Sequence, residues 1–104
     1  MTYDVDYFIE KFDKIPRKSW ATKNYVNFLG KKCALGFCNH SGNNPTEEGC
    51  ALIHLFAYNN LFLILVNDGS SYLGNNYMHL GSHPKERILN ALLLIKSGIL
   101  EDFQ

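Results

Sequence analysis

Val5, Phe8, Ile9, Phe12 and Ile15 recur at the spacing of one helical face, with Thr2 or Asp4 before them as a cap, so the pattern predicts a helix over about residues 4–14. Pro16 ends it, because the ring lacks an N–H and pushes the preceding residue toward extended geometry. The weak alternation of residues 25–29, closed by Gly30, predicts a short strand. Cys33-Ala-Leu-Gly-Phe-Cys38 is too short to show a period; its Ala and Leu favour a helical turn. After a polar loop at 40–44, Asn44-Pro-Thr-Glu-Glu48 places a cap, a proline and acids where a helix start needs them, and a second helix is expected over about 45–57. Residues 61–66, Leu-Phe-Leu-Ile-Leu-Val, form an unbroken apolar run with the length of a strand buried on both faces. Asn67-Asp-Gly69 stops it, and residues 70–81 carry no apolar period and read as a long loop. His83-Pro84-Lys-Glu86 opens a third helix over about 84–97, with Ile88, Ala91, Leu92 and Ile95 as its apolar stripe and Gly98 as its stop.

Assembled, these segments predict one α+β domain over residues 1–104, in which three helices pack on a small sheet whose central strand is 61–66. A chain of 104 residues buries enough surface to fold without disulfide or metal staples. A two-sided apolar strand needs cover, and a chain with 7 Phe, 6 Tyr and 1 Trp but zero net charge has little to keep copies apart, so a homo-oligomer is expected. The same zero net charge argues against DNA, RNA or a membrane surface as partner. The longest apolar run falls far short of the roughly twenty residues that span a bilayer. The acidic start Met1-Thr-Tyr-Asp lacks the grammar of a secretion signal, and a cytoplasmic protein is expected. The odd count of 3 Cys agrees with a reducing compartment.

Three constellations carry candidate chemistry. Cys33, Cys38, His40, Cys50 and His54 offer soft ligands for zinc, with Cys50 and His54 one helical turn apart. Against that, no Cys-x-x-Cys pair occurs. Cys33 or Cys50 beside His40, His54 or His83 would make a thiolate nucleophile, although buried cysteines are commonly just small apolar residues. The favoured constellation is ligand-binding: Trp20, Asn67, Asp68, Tyr72, Tyr77, His83 and Arg87. Asn67 and Asp68 follow the apolar run, while His83 and Arg87 stand at a helix start whose free N–H groups favour an anion. Arg87 is then either a structural partner of Asp68 or a clamp for a phosphate or carboxylate, and the three aromatic residues offer faces for a purine. No glycine-rich phosphate loop is present.

Trp20, Cys33-Ala-Leu-Gly36, Thr46-Glu-Glu48, Asn67-Asp-Gly69 and Pro84-Lys-Glu-Arg87-Ile-Leu-Asn-Ala-Leu92 stand in an order that resembles a domain-of-unknown-function family of small bacterial and phage proteins. The resemblance covers most of the chain and implies a shared fold and a shared site, with no reaction attached. Residues 72–79 depart from the family pattern. Reaching into phages, the resemblance implies action by stoichiometric capture, as in an anti-defence protein. The reading that follows is a non-enzymatic protein without cofactor that sequesters a phosphorylated metabolite or nucleotide signal. Its rivals are an inhibitor that docks on another protein, and a small cysteine- or zinc-dependent enzyme.

Overall fold

A computed structural model describes residues 3–69, 71–72 and 75–98. The fold is helical. Helix α1 spans Val5–Asp13, α2 Ala34–Phe37, α3 Glu47–Tyr58, α4 Leu63–Asp68 and α5 Pro84–Ser97. The α+β expectation is therefore corrected: the sheet found among the described residues is a two-residue antiparallel ladder pairing β1, Ser71–Tyr72, with β2, Asn75–Asn76. It lies within the expected long loop and organises no layer.

The three helices expected from periodicity are present with their own chemistry at the ends. Asp4 caps α1 by accepting from the Tyr7 N–H, and Thr46, not Asn44, caps α3 by accepting from the Gly49 N–H. α5 begins at Pro84 behind a His83 cap and closes at Gly98. Helix α5 is the spine of the molecule, packed along α1 on one side and α4 on another, while α3 lies against α4. Phe8 and Phe12 of α1, Leu52 and Phe56 of α3, Val66 of α4 and Ile88, Ala91 and Leu92 of α5 are fully buried and make one core.

Residues 61–66 depart from the expected central strand. Phe62 is extended, and the chain then coils into α4. Phe62 and Ile64 are 58% and 56% exposed, whereas Leu63, Val66 and Asn67 are buried. That spacing, i, i+3 and i+4, is a single helical stripe; a strand would have placed 62, 64 and 66 on one face. No neighbouring strand is available among the described residues, and only a helix satisfies its own backbone groups. Gly69 ends α4 in the left-handed region at φ 69°, a conformation that costs glycine nothing. The case for a second copy as cover for a two-sided strand falls with the strand.

The short strand expected at 25–29 is also corrected. Val26 makes an isolated antiparallel bridge to Lys32, and between them the chain turns tightly. Cys33-Ala-Leu-Gly-Phe-Cys38 does form a helical turn, α2.

Helix α4 has a signature in hydrogen exchange. Phe62 provides no side-chain cap, so the first-turn amides of residues 63–65 exchange fast, while the Val66 amide, bonded to the Phe62 carbonyl at 2.9 Å, is protected along with those of Ile88 and Leu92. Uniform protection across 61–66 in an amide-exchange map would restore the strand.

Candidate functional site

A cleft of about 120 Å³ opens where the start of α2, the end of α4 and the loop before α2 converge. Tyr25, Leu35, Leu63 and Ile64 give it apolar walls, and Lys23, Cys33, Asn67 and Asp68 supply its polar groups. Two hollows of about 320 and 410 Å³, elsewhere on the surface, are more open and carry no acidic or basic side chain apart from His79. The combination of apolar walls and a few convergent polar groups marks the smaller cleft as the candidate site.

Asn67 builds its floor. The buried amide accepts from the Ala34 N–H at 3.1 Å and donates to the Ala21 carbonyl at 3.0 Å and to Asp68 Oδ1 at 3.1 Å. One side chain thus ties α4 to the start of α2 and to the preceding loop. Asp68 Oδ1 also accepts from the Lys23 N–H at 2.9 Å, which holds Lys23 at φ 71°. Gly36 makes the rim possible: a Cβ there would overlap the Tyr25 carbonyl, so only glycine lets the loop lie on α2. Burial pushes the Cys33 thiol above its ordinary range, Asp68 pushes it the same way, and backbone donors oppose both incompletely. It faces the cleft as a neutral thiol.

Of the two roles left open for Arg87, structural partner or anion clamp, its contacts are those of a structural residue. Its guanidinium is buried, with Nε donating to the Val66 carbonyl at 2.9 Å, one terminal nitrogen to the Asn67 carbonyl at 2.8 Å and the other to the Gly81 carbonyl at 3.1 Å. Those carbonyls include the unsatisfied end of α4, so Arg87 caps that helix from α5. Burial lowers its pKa, with the charges of Asp68 and Glu86 opposing. The arginine holds Asn67 in place from behind the cleft.

The other expected site residues do not gather there. Trp20 is 4% exposed, packs edge-on against Phe12 and Phe37, and donates weakly to the Ile15 carbonyl at 3.4 Å. It has no free face for a base. Tyr77 is buried in the core, and the side chain of Tyr72 lies outside the described residues. His83 is spent on capping α5, where Nδ1 accepts from the Lys85 N–H at 3.2 Å.

Desolvation, with Arg17 nearby, lowers the His83 pKa below 6.5, so folding favours the neutral ring that can accept. This contribution to stability is complete above 6.5 and fades as pH falls through that value toward the folded pKa. His83→Ala should cost about 1 kcal/mol near neutrality, the usual worth of an N-cap, and should flatten the acid side of a plot of Tm against pH. An unchanged acid slope in that variant counts against the cap.

The zinc and thiolate constellations disperse in the fold. Buried His40 accepts from the Thr46 N–H through Nδ1 at 3.1 Å, His54 is exposed, and burial, with Glu48 nearby, pushes the Cys38 thiol up to about 12. Among the described residues no group of three His, Cys, Asp or Glu is placed to hold a metal. Lys23, Tyr25 and Ile64 were not singled out by sequence reasoning; the one trace of them in the sequence is Gly36, whose missing side chain marks a close approach, here to Tyr25.

No family model, no curated protein and no solved structure matches the chain.

Proposed function

We propose that this chain is a non-catalytic binding module that captures a compact ligand in the cleft beside Asp68. The observation that carries the reading is the Asp68 carboxylate, fixed through Oδ1 by two donors at the edge of an apolar-walled cleft. Its second oxygen suits a hydrogen-bond donor, and Leu63, Ile64 and Tyr25 suit an apolar body attached to that donor. The ligand class is therefore a small amine, amidine or amide with an aliphatic or aromatic body.

Two observations weigh against the phosphorylated or nucleotide ligand. Arg87 is engaged with backbone carbonyls, and a cleft of about 120 Å³ is well below the roughly 300 Å³ at which pockets for larger ligands begin. The half-buried Cys33 thiol, whose pKa burial pushes up, is held in its un-ionised form, which favours binding over cysteine chemistry.

A thermal-shift and NMR screen of fragment-sized amines, amidines and amides, with nucleotides and cyclic dinucleotides alongside, tests the reading. Asp68→Asn keeps the oxygen that accepts from Lys23 and removes the charge, so it should weaken a cationic hit about tenfold or more while preserving the fold. An anionic hit, or a cationic one indifferent to Asp68→Asn, defeats the proposal.

A further inference from the structure

The zero net charge of the chain hides an uneven distribution. Lys14, Arg17, Lys18, Lys23, Lys31 and Lys32 follow one another with no acid between residues 14 and 46. Most cations of the molecule are neutralised or engaged: Lys11, Lys14, Arg17 and Lys96 meet carboxylates, Lys85 meets the Asp13 carbonyl, and Arg87 is buried on carbonyls. Among the described residues the cations without such a partner are Lys18, Lys23, Lys31 and Lys32. All fall within 18–32.

This stretch also presents the most exposed apolar side chain of the described core-type residues. Phe28 is 96% exposed, with Leu29 at 64% and Val26 at 54% beside it. The turn that carries them is rigidly made. The Asn27 N–H donates to the Lys31 carbonyl at 2.8 Å, and Asn27 Oδ1 accepts from the N–H groups of Leu29 and Lys31 at 2.9 and 3.0 Å. Gly30 completes the turn in the left-handed region. The result is a projecting apolar tip with uncompensated lysines at its base.

We propose that this turn docks on the surface of an anionic lipid bilayer, with Phe28 and Leu29 entering the boundary between headgroups and acyl chains and Lys31 and Lys32 meeting the lipid phosphates. A bilayer accepts a projecting apolar tip without a matching pocket, and lysines at its base add attraction to anionic headgroups. Charge complementarity disfavours a second copy, whose identical lysines would face these across a two-fold axis. Protein interfaces enrich arginine and deplete lysine, and both arginines of this chain are engaged elsewhere. Attachment would be peripheral, since no helix of the described residues is long and apolar enough to cross a membrane. The surface stands independently of the cleft.

Co-sedimentation of the full chain with vesicles of phosphatidylcholine, alone or mixed with phosphatidylglycerol, tests the proposal. Binding is expected to the anionic vesicles and to weaken as salt rises. Phe28→Ser combined with Leu29→Ser should reduce it about tenfold or more, and Lys31→Gln combined with Lys32→Gln should also reduce it about tenfold or more, from roughly fivefold per lysine. Free glycerol phosphate should not release the bound protein. Phe28 and Leu29 are exposed and Lys31 and Lys32 half-buried, so a melting transition like that of the wild type is required of each variant to verify the fold. A wild-type chain that stays in solution with anionic vesicles at low salt overturns the proposal and assigns the turn to a protein partner. Equal binding by the Phe28 and Leu29 double variant, or release by free glycerol phosphate, overturns the insertion of the tip.

Discussion

Arg87→Ala should lower the free energy of unfolding by about 3 kcal/mol or more, read from the midpoint and slope of a urea titration. The guanidinium serves the carbonyls of Val66, Asn67 and Gly81; in the alanine variant the Val66 carbonyl keeps the Gly69 N–H, while those of Asn67 and Gly81 lose this donor in a buried place. Leaving a buried acceptor unpaired costs about 1–3 kcal/mol, and some of that is recovered if water enters the space. Arg87→Lys keeps the charge but a single ammonium cannot reproduce a planar fork with separate donors, so it should recover only part of the loss. If Arg87→Ala is as stable as the wild type and instead abolishes binding of an anion, the helix-capping role assigned here is wrong. The consequence would reach the cleft, because the same guanidinium fixes the Asn67 backbone whose side chain forms the floor.

Gly36→Ala should cost about 3 kcal/mol and should also disorganise the cleft. The added methyl would overlap a backbone carbonyl, that of Tyr25, and a carbonyl in a chain segment cannot rotate away as a side-chain tip would. Either α2 or the loop must shift, and Tyr25, Lys23 and Cys33 line the cleft from those two elements. Denaturant titration gives the stability loss. NMR shifts of Asn67 and Asp68 give the local rearrangement, and unchanged shifts with unchanged stability would mean that the close approach is absent in solution.

The comparison of these two residues shows why the site was only partly legible. Gly36 stood in a recognisable motif, yet a glycine in a sequence does not say which carbonyl comes near it; the Tyr25 contact arises from a turn eleven positions earlier. Arg87 was singled out as one of the chain's two arginines, near Asn67 and Asp68. Its chemistry was read from a helix start, where an exposed cation at an anion-favouring end suggests a ligand. Burial and the carbonyls of Val66 and Asn67 at the end of α4 turned it inward instead. Sequence reasoning left Asp68 either a structural partner of Arg87 or a neighbour of an anion clamp; its carboxylate acts on Arg87 through charge and accepts from the Lys23 backbone and the Asn67 amide.

The sequence by itself determined the first, second and third long helices, α1, α3 and α5, because their apolar residues repeat with a helical period and capping residues stand at their ends. It also determined the turn at Cys33-Ala-Leu-Gly-Phe-Cys38; of the expected stop at Asn67-Asp-Gly69, Asn67 and Asp68 belong to α4 and Gly69 alone ends it. The tertiary structure alone decided the state of residues 61–66, since an apolar run of that length lacks a period of its own and takes helix or strand according to whether neighbouring strands exist. It also decided where polar side chains spend their hydrogen bonds. Trp20, His83 and Arg87 carry groups able to meet a ligand, and each was drawn to a backbone partner, because an unpaired backbone donor or acceptor inside a fold costs more than a surface binding group gains by staying free.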